Sequence, residues 1–286
     1  MSNLHLNRPM PLAPAPDPLQ TDLAQLAPAL AAALADQPQA PAVALRSRLL
    51  ERLAASRAAE AAMFTVHQRR LATAALAPGV TSQTLYEAQP TGTRRPGEPI
   101  SAWLIRLEAG ATLAPALLGG AASARHREWL LIEGSASLDG ETLSLRDYHV
   151  TPAGHPGGTW STECGALLFL RQSKLAAQPD DAPFTVRDAQ AGWPDFAPGT
   201  QRRVLWQREG QAALLYYAQP GAQVPQHTHG HDEECLMAQG ELFLDDLLLQ
   251  PGDYQLAPAG TGHRVTATDT GVVIYAHGDF DLRFVA

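Results

Sequence analysis

Apolar and polar positions follow two regimes along the 286 residues. Near the N-terminus, Leu19, Leu23, Leu26, Leu30 and Leu34 recur at steps of three and four, the spacing that gathers side chains on one face of a helix. A second helix is predicted over Ala42 to Ala62, with Leu45, Leu49, Leu50 and Leu53 on one face and Arg46, Arg48, Arg52 and Arg57 making the other basic. Pro9 to Pro18 ahead of them reads as a Pro-rich arm. From Phe64 onward the period changes. Apolar runs of strand length, among them 100–107, 128–133, 165–170, 213–217, 234–238 and 271–275, stand between Gly and Pro punctuation. Strands at regular spacing with turns between them predict an all-β barrel or jelly roll behind a short helical segment.

The β region is a repeat. Phe64-Thr65-Val66 returns as Phe184-Thr185-Val186, and Ala77-Pro78-Gly79 as Ala197-Pro198-Gly199. Further on, Asp147-Tyr148 and Pro152-Ala153-Gly154 return as Asp253-Tyr254 and Pro258-Ala259-Gly260, and Gly134 and Gly165 return as Gly240 and Gly271. The offset falls between the two groups, which places insertions in the first copy within 87–100 and 116–127. The chain therefore divides into an arm with two helices (1–63), a first barrel (64–173), a polar linker (174–183) and a second barrel (184–286).

Charge refines this picture. Residues 1–63 carry 5 basic and 5 acidic side chains, residues 64–180 carry 10 of each, and residues 181–286 carry 6 and 14, so the net charge of −8 belongs to the last third. An acidic surface repels phosphate backbones, which argues against nucleic acid as a direct partner. Two cysteines, Cys164 and Cys235, exclude a disulfide-stapled scaffold. No apolar run approaches a membrane span, and no basic segment followed by a hydrophobic core opens the chain, so a cytoplasmic location is expected.

The candidate chemistry lies in the second repeat. His227 and His229 are two apart, so on a strand both imidazoles face one side, and Glu233 shares their parity. His263 follows the Pro258-x-Gly260 turn, which would bring it from a neighbouring strand. Three imidazoles and a carboxylate meeting inside a barrel make a site for one divalent transition metal. His231 has the same parity as these residues and is a rival ligand; a turn at Gly230 would move it to the rim. Cys235 is expected to point into the same barrel, as a small core residue or a thiol near the metal. Tyr216, Tyr254 and His277 are candidates for cavity lining or for packing.

This pattern, with Gly221, His227-x-His229-x3-Glu233, Gly240 and Gly252-x5-Pro258-x-Gly260-x2-His263, resembles the cupin superfamily across both repeats. The resemblance implies two tandem cupin barrels (double-stranded β-helices) and metal ligands His227, His229, Glu233 and His263. Ala267 stands where many cupins carry Asn. In the first copy Ala116 and Leu118 replace the paired histidines, Arg127 the glutamate and Gly157 the last histidine. Sliding the loop brings Ala121 and Ser123 there instead, and His126 and His155 fall out of register. The first barrel is therefore expected to be structural or a dimerisation half.

A closer likeness rests on Arg46-Ser47-Arg48-Leu49-Leu50-Glu51-Arg52, Thr65-Val66, Ala77-Pro78-Gly79-Val80, Glu233-Glu234 and Gly252-Asp253-Tyr254. This order resembles the ChrR-type anti-sigma factor cupins, in which a zinc-bound cupin accompanies a helical domain that holds a sigma factor. Residues 1–63 contain no cysteine, so that family's N-terminal zinc ligands are absent here. The resemblance implies a metal-binding regulatory or sensor protein with Zn as the first expectation and Fe, Mn or Ni as others. Its partners would be a sigma factor or another protein through the helices, or a small-molecule ligand; a homodimer is a further expectation. The rival class is a non-heme metal-dependent dioxygenase acting on a diketone or phenol, with Glu233 as its catalytic base.

Overall fold

A computed structural model describes residues 42–89, 97–118 and 124–285. The Pro9–Pro18 arm and the predicted Leu19–Leu34 helix lie outside the described residues, as do Ala121 and Ser123. The chain divides into two units, residues 1–55 and 56–286. The predicted second helix runs over Ala42–Ala62, and Leu45, Leu49, Leu50 and Leu53 on it are exposed. No helix among the described residues is long and apolar enough to cross a membrane.

Each repeat builds a seven-stranded antiparallel sheet, but contributes six of its strands. In the first sheet the order is Phe184–Val186, Tyr148–Thr151, His126–Gly134, Ala166–Ser173, Pro99–Leu107, Val80–Glu87 and Ala74–Ala77. In the second it is Phe64–Val66, Tyr254–Ala257, Glu233–Gly240, Val272–Asp279, Gln211–Ala218, Thr200–Arg208 and Asp195–Ala197. The strand that opens each repeat thus pairs in the sheet of the other, Val66 opposite Tyr254 and Val186 opposite Tyr148. Side chains repeat across the exchange: Gln255 Nε2 donates to Thr65 Oγ1 at 3.0 Å, and His149 Nδ1 lies 2.9 Å from Thr185 Oγ1. The aspartate of the repeated Asp-Tyr pair anchors the chain beyond each exchanged strand. Asp253 accepts from the Gln68 backbone N–H, and Asp147 from that of Asp188, both at 2.8 Å.

A smaller four-stranded sheet closes each barrel, and the second barrel adds a three-stranded one. Gly134 and Gly240 mark where strand meets turn in both barrels. Their φ values are 74° and 72°, and a Cβ there would run into the carbonyl oxygen of Gly165 or Gly271.

Strand alternation sorts side chains into three cores. Odd positions of His126–Gly134, such as Trp129 and Leu131, fill the first barrel; even ones, such as Leu130 and Ile132, face the second sheet. In Glu233–Gly240, Cys235 and Met237 face the second barrel's interior while Leu236 and Ala238 face the first sheet. Strands such as Ala166–Ser173 and Val272–Asp279 are buried on both faces, which is why they read as continuous apolar runs and not as an alternation.

Between the sheets lies a buried ionic cluster. Arg171 donates from Nη1 to Glu128 Oε1 at 2.8 Å and from Nε to Glu234 Oε2, so one guanidinium joins the two barrels. Tyr148 and Tyr275 donate to Glu128 Oε2 at 2.6 and 2.8 Å, and Tyr254 to Glu234 Oε1 at 2.6 Å. The Nε2 atoms of His126 and His277 each lie 3.6 Å from Glu128 Oε1. Burial opposes ionisation of Glu128, but Arg171, His277 and His126 together hold its carboxyl well below the ordinary range. For Glu234 burial outweighs Arg171 and Tyr254, and its pKa is raised. His126, Tyr254 and His277 therefore belong to this inter-barrel core. The linker segment is also anchored, with Leu175 buried and Asp181 paired to Arg208.

Two expectations follow. Arg171→Leu removes the shared cation and leaves two carboxylates in the core, so urea denaturation should show a loss of about 3–5 kcal/mol. Burial, then the charge of Arg171, lowers the His277 pKa from 6.5 to about 3. The unfolded chain takes up that proton first as pH falls. The contribution of His277 is complete above pH 6.5 and declines as pH drops toward 3, by about 2 kcal/mol at pH 5. His277→Gln should flatten that part of the pH dependence in denaturation curves recorded from pH 7 to pH 5.

Candidate metal centre

The strand His227–Thr228 lies between Gly262–His263 and Arg283–Phe284, with His227 directly opposite His263. That pairing brings together histidines 36 positions apart, as the turn at Pro258 to Gly260 predicts. Glu233 enters as the first residue of Glu233–Gly240 in the seven-stranded sheet, and its odd parity turns it into the barrel while Glu234 turns to the inter-barrel core. Ligand atoms of His227, His229 and Glu233 all lie within 4.8 Å of one another. His263 closes the group: its Nε2 is 3.9 Å from Glu233 Oε2, and its ring centroid is 5.1 Å from that of His229 and 5.6 Å from that of His227. All four side chains are buried.

The polar atoms in this group are poorly satisfied by the protein. Both ring nitrogens of His229 and both of His263 are buried without a hydrogen-bond partner. Leaving such a group unpaired costs about 1–3 kcal/mol each, so their convergence calls for a ligand. His227 is oriented differently, with Nδ1 held 3.0 Å from the Pro225 carbonyl and Nε2 left for the cluster. Burial, with His263 and His227 adding to it, lowers the His229 pKa to about 3, so its ring is neutral at pH 7 and has a lone pair to offer. Burial pushes Glu233 up to about 7. A carboxylate in that state gains most from a cation placed beside it. Three imidazoles and a carboxylate are a donor set that fits a divalent transition metal.

A cavity of about 60 Å³ adjoins the cluster. His227, Glu233 and His263 form one end, and Cys235 and Tyr216 line it, as expected from their strands. His231 stays at the rim: its Nδ1 pairs with Asp279, which also accepts the Gly230 N–H. Two neighbours of the cluster had no signal in the sequence. Asp279 closes a strand far along the chain. Asp245 sits in a turn at φ 54° with Oδ2 3.9 Å from His263 Nδ1, facing it across the barrel edge.

The first barrel answers the same positions with different chemistry. Arg127, at the place of Glu233, is buried, and a Cβ added to Gly157, at the place of His263, would run into its guanidinium. The cation thus lies where the missing imidazole would stand. Trp129 and Trp160, with ring centroids 5.0 Å apart, occupy the positions of Cys235 and Thr266 and fill the interior. His155 is bound outside, its Nε2 2.9 Å from the Asp181 carbonyl.

The fold is that of two tandem cupin barrels, as the resemblance implied. Residues 181–281, the second barrel, match the family model of the ChrR cupin-like domain. No curated protein matches the chain. Among solved structures, a candidate dioxygenase from Nostoc punctiforme PCC 73102 is 14% identical, with a TM-score of 0.59 over 78% of this chain and 85% of that one. A glyoxylate-induced protein candidate from Pseudomonas aeruginosa gives 13% and 0.59 over 78% and 91%. The oxalate decarboxylase of Lactobacillus farciminis gives 13% and 0.54 over 77% and 87%. At such identities the likeness is one of fold.

If the four side chains hold one ion, His227→Ala or His263→Ala should bring metal content from one per chain to near zero, measured by elemental analysis of protein purified without added metal. The melting temperature should fall with it, because a bound ion stabilises the folded state by linkage. His126→Ala and His155→Ala should leave the metal in place.

Proposed function

We propose that the protein is a metal-binding regulatory or sensor cupin of the ChrR-like type, with His227, His229, Glu233 and His263 as ligands of one divalent metal, Zn foremost and Fe, Mn or Ni as the other candidates. The observation that carries this reading is the match of the ChrR cupin-like domain to the barrel that holds the unsatisfied histidines. Two features support a regulator over a fast enzyme. The described cavity lining has one carboxylate, Glu233, and that group is needed as a ligand. The helix Ala42–Ala62 exposes Leu45, Leu49, Leu50 and Leu53, with Arg46, Arg48 and Arg52 among them, which suits a protein partner such as a sigma factor. A bound metal would supply a Lewis-acid or redox centre. The residues of this chain would orient it, keep bulk water from it and present the apolar cavity to one side.

The adjoining cavity also supports a second reading, a dioxygenase acting on a diketone or phenolic molecule with Glu233 as base. Purification from the native host, followed by mass spectrometry of co-eluting proteins and an oxygen-electrode assay of the Fe(II)-loaded protein, separates the two. The regulatory reading expects a stoichiometric sigma-like partner and no oxygen uptake above background. No partner, together with uptake in the presence of a diketone or phenol at about 1 per second or faster, would replace it with the enzyme.

A further inference from the structure

The walls of the second barrel's cavity carry information about what enters it. Most are small or branched apolar side chains, including Ala222, Val224, Leu242, Leu244 and Ile274. No lysine or arginine stands among the described lining residues. Three hydroxyls face the space without a hydrogen-bond partner: Thr200 Oγ1, Tyr216 Oη and Thr266 Oγ1. Thr200 is 3% exposed and Tyr216 9%, so bulk water does not satisfy them either. The first barrel has no need of such hydroxyls, since Trp160 replaces Thr266 there and packs on Trp129.

We propose that this cavity binds a small uncharged molecule with an aliphatic body and one or two oxygen atoms, a ketone or alcohol of about four to six carbons, the size class that an apolar protein cavity of this kind accepts. The proposal takes from the reading above that the four ligands hold a metal; the apolar wall and the orphaned hydroxyls stand without it. The body of the molecule removes apolar wall from water, and its oxygen accepts from the Thr200 or Tyr216 hydroxyl. A dicarboxylate fits poorly. One carboxylate could face the metal, but the second would be buried against alanine, valine and leucine with no cation to pair with, which is the costliest burial available to it.

The test is calorimetric titration of 2-butanone, 2-pentanone, 2-hexanone and oxalate into the metal-loaded full chain, with metal content measured on the same samples. Affinity should rise about fourfold per added methylene, the transfer free energy of one CH₂, and oxalate should not bind. Val224→Phe narrows the cavity at a half-buried position and should weaken 2-hexanone at least tenfold, while metal content and melting temperature stay those of the parent. Thr200→Val keeps the shape, removes the hydroxyl and should weaken all three ketones about fivefold, the value of one net hydrogen bond. A series flat with chain length, or oxalate binding more tightly than 2-hexanone, overturns the proposal even with metal fully bound. A chain-length series that persists in protein found to hold no metal would overturn the metal reading and leave the cavity proposal standing.

Discussion

One guanidinium fixes the arrangement of everything else. Arg171 lies in the first repeat and touches Glu128 of that repeat and Glu234 of the other. Removing three charges from water is expensive, and their attraction repays it only where every remaining polar atom is bonded. Tyr148, Tyr275 and Tyr254 supply those bonds. The cluster therefore specifies one registration of the two sheets, since a slip by one residue would turn Glu234 out of it and Glu233 in. Glu233 and Glu234 are adjacent, and their opposite faces give one to the candidate metal centre and the other to the junction between barrels. The barrel that holds the cluster of histidines is thereby tied to the barrel that has none.

The exchanged strands tighten the same junction. Phe64–Val66 and Phe184–Val186 are three residues each, too short to stand at a sheet edge alone. Each is held by pairing to the Tyr254 or Tyr148 strand and by the aspartate one residue before that tyrosine. The Asp-Tyr pair thus serves two functions at once: its carboxylate anchors the partner's entering strand, and its phenol hydrogen-bonds the ionic cluster.

Much of this was legible in the sequence. The repeat fixed the number of barrels, the runs at 128–133 and 234–238 lay where strands formed, and the helix over Ala42–Ala62 matched to the residue. The histidine cluster was legible because its residues carry a spacing: two residues for a shared face, then a turn and a neighbouring strand. The exchange of opening strands was not, because Phe-Thr-Val is identical in both copies and nothing local says which sheet it joins. Nor was the role of Arg171, whose partners are 43 and 63 positions away, or that of Asp245, which meets His263 only once the barrel has closed. Parity alone separated Glu233 from Glu234, but a glutamate facing another domain has no mark in sequence.

The two barrels are also a comparison of what the fold requires with what the site adds. In the first, Arg127 covers the place of the glutamate, Gly157 makes room for its guanidinium, and two indoles fill the interior. The second keeps features that stability alone would not favour. His229 and His263 leave ring nitrogens unpaired, Glu233 is held in an environment that raises its pKa, three hydroxyls lack partners, and an apolar cavity stands where tryptophans could pack. Each costs free energy in the protein as a bare chain. Departures from local satisfaction that gather around one cavity, beside a copy of the same fold whose interior is filled by two indoles, mark the part of the molecule shaped by what it binds.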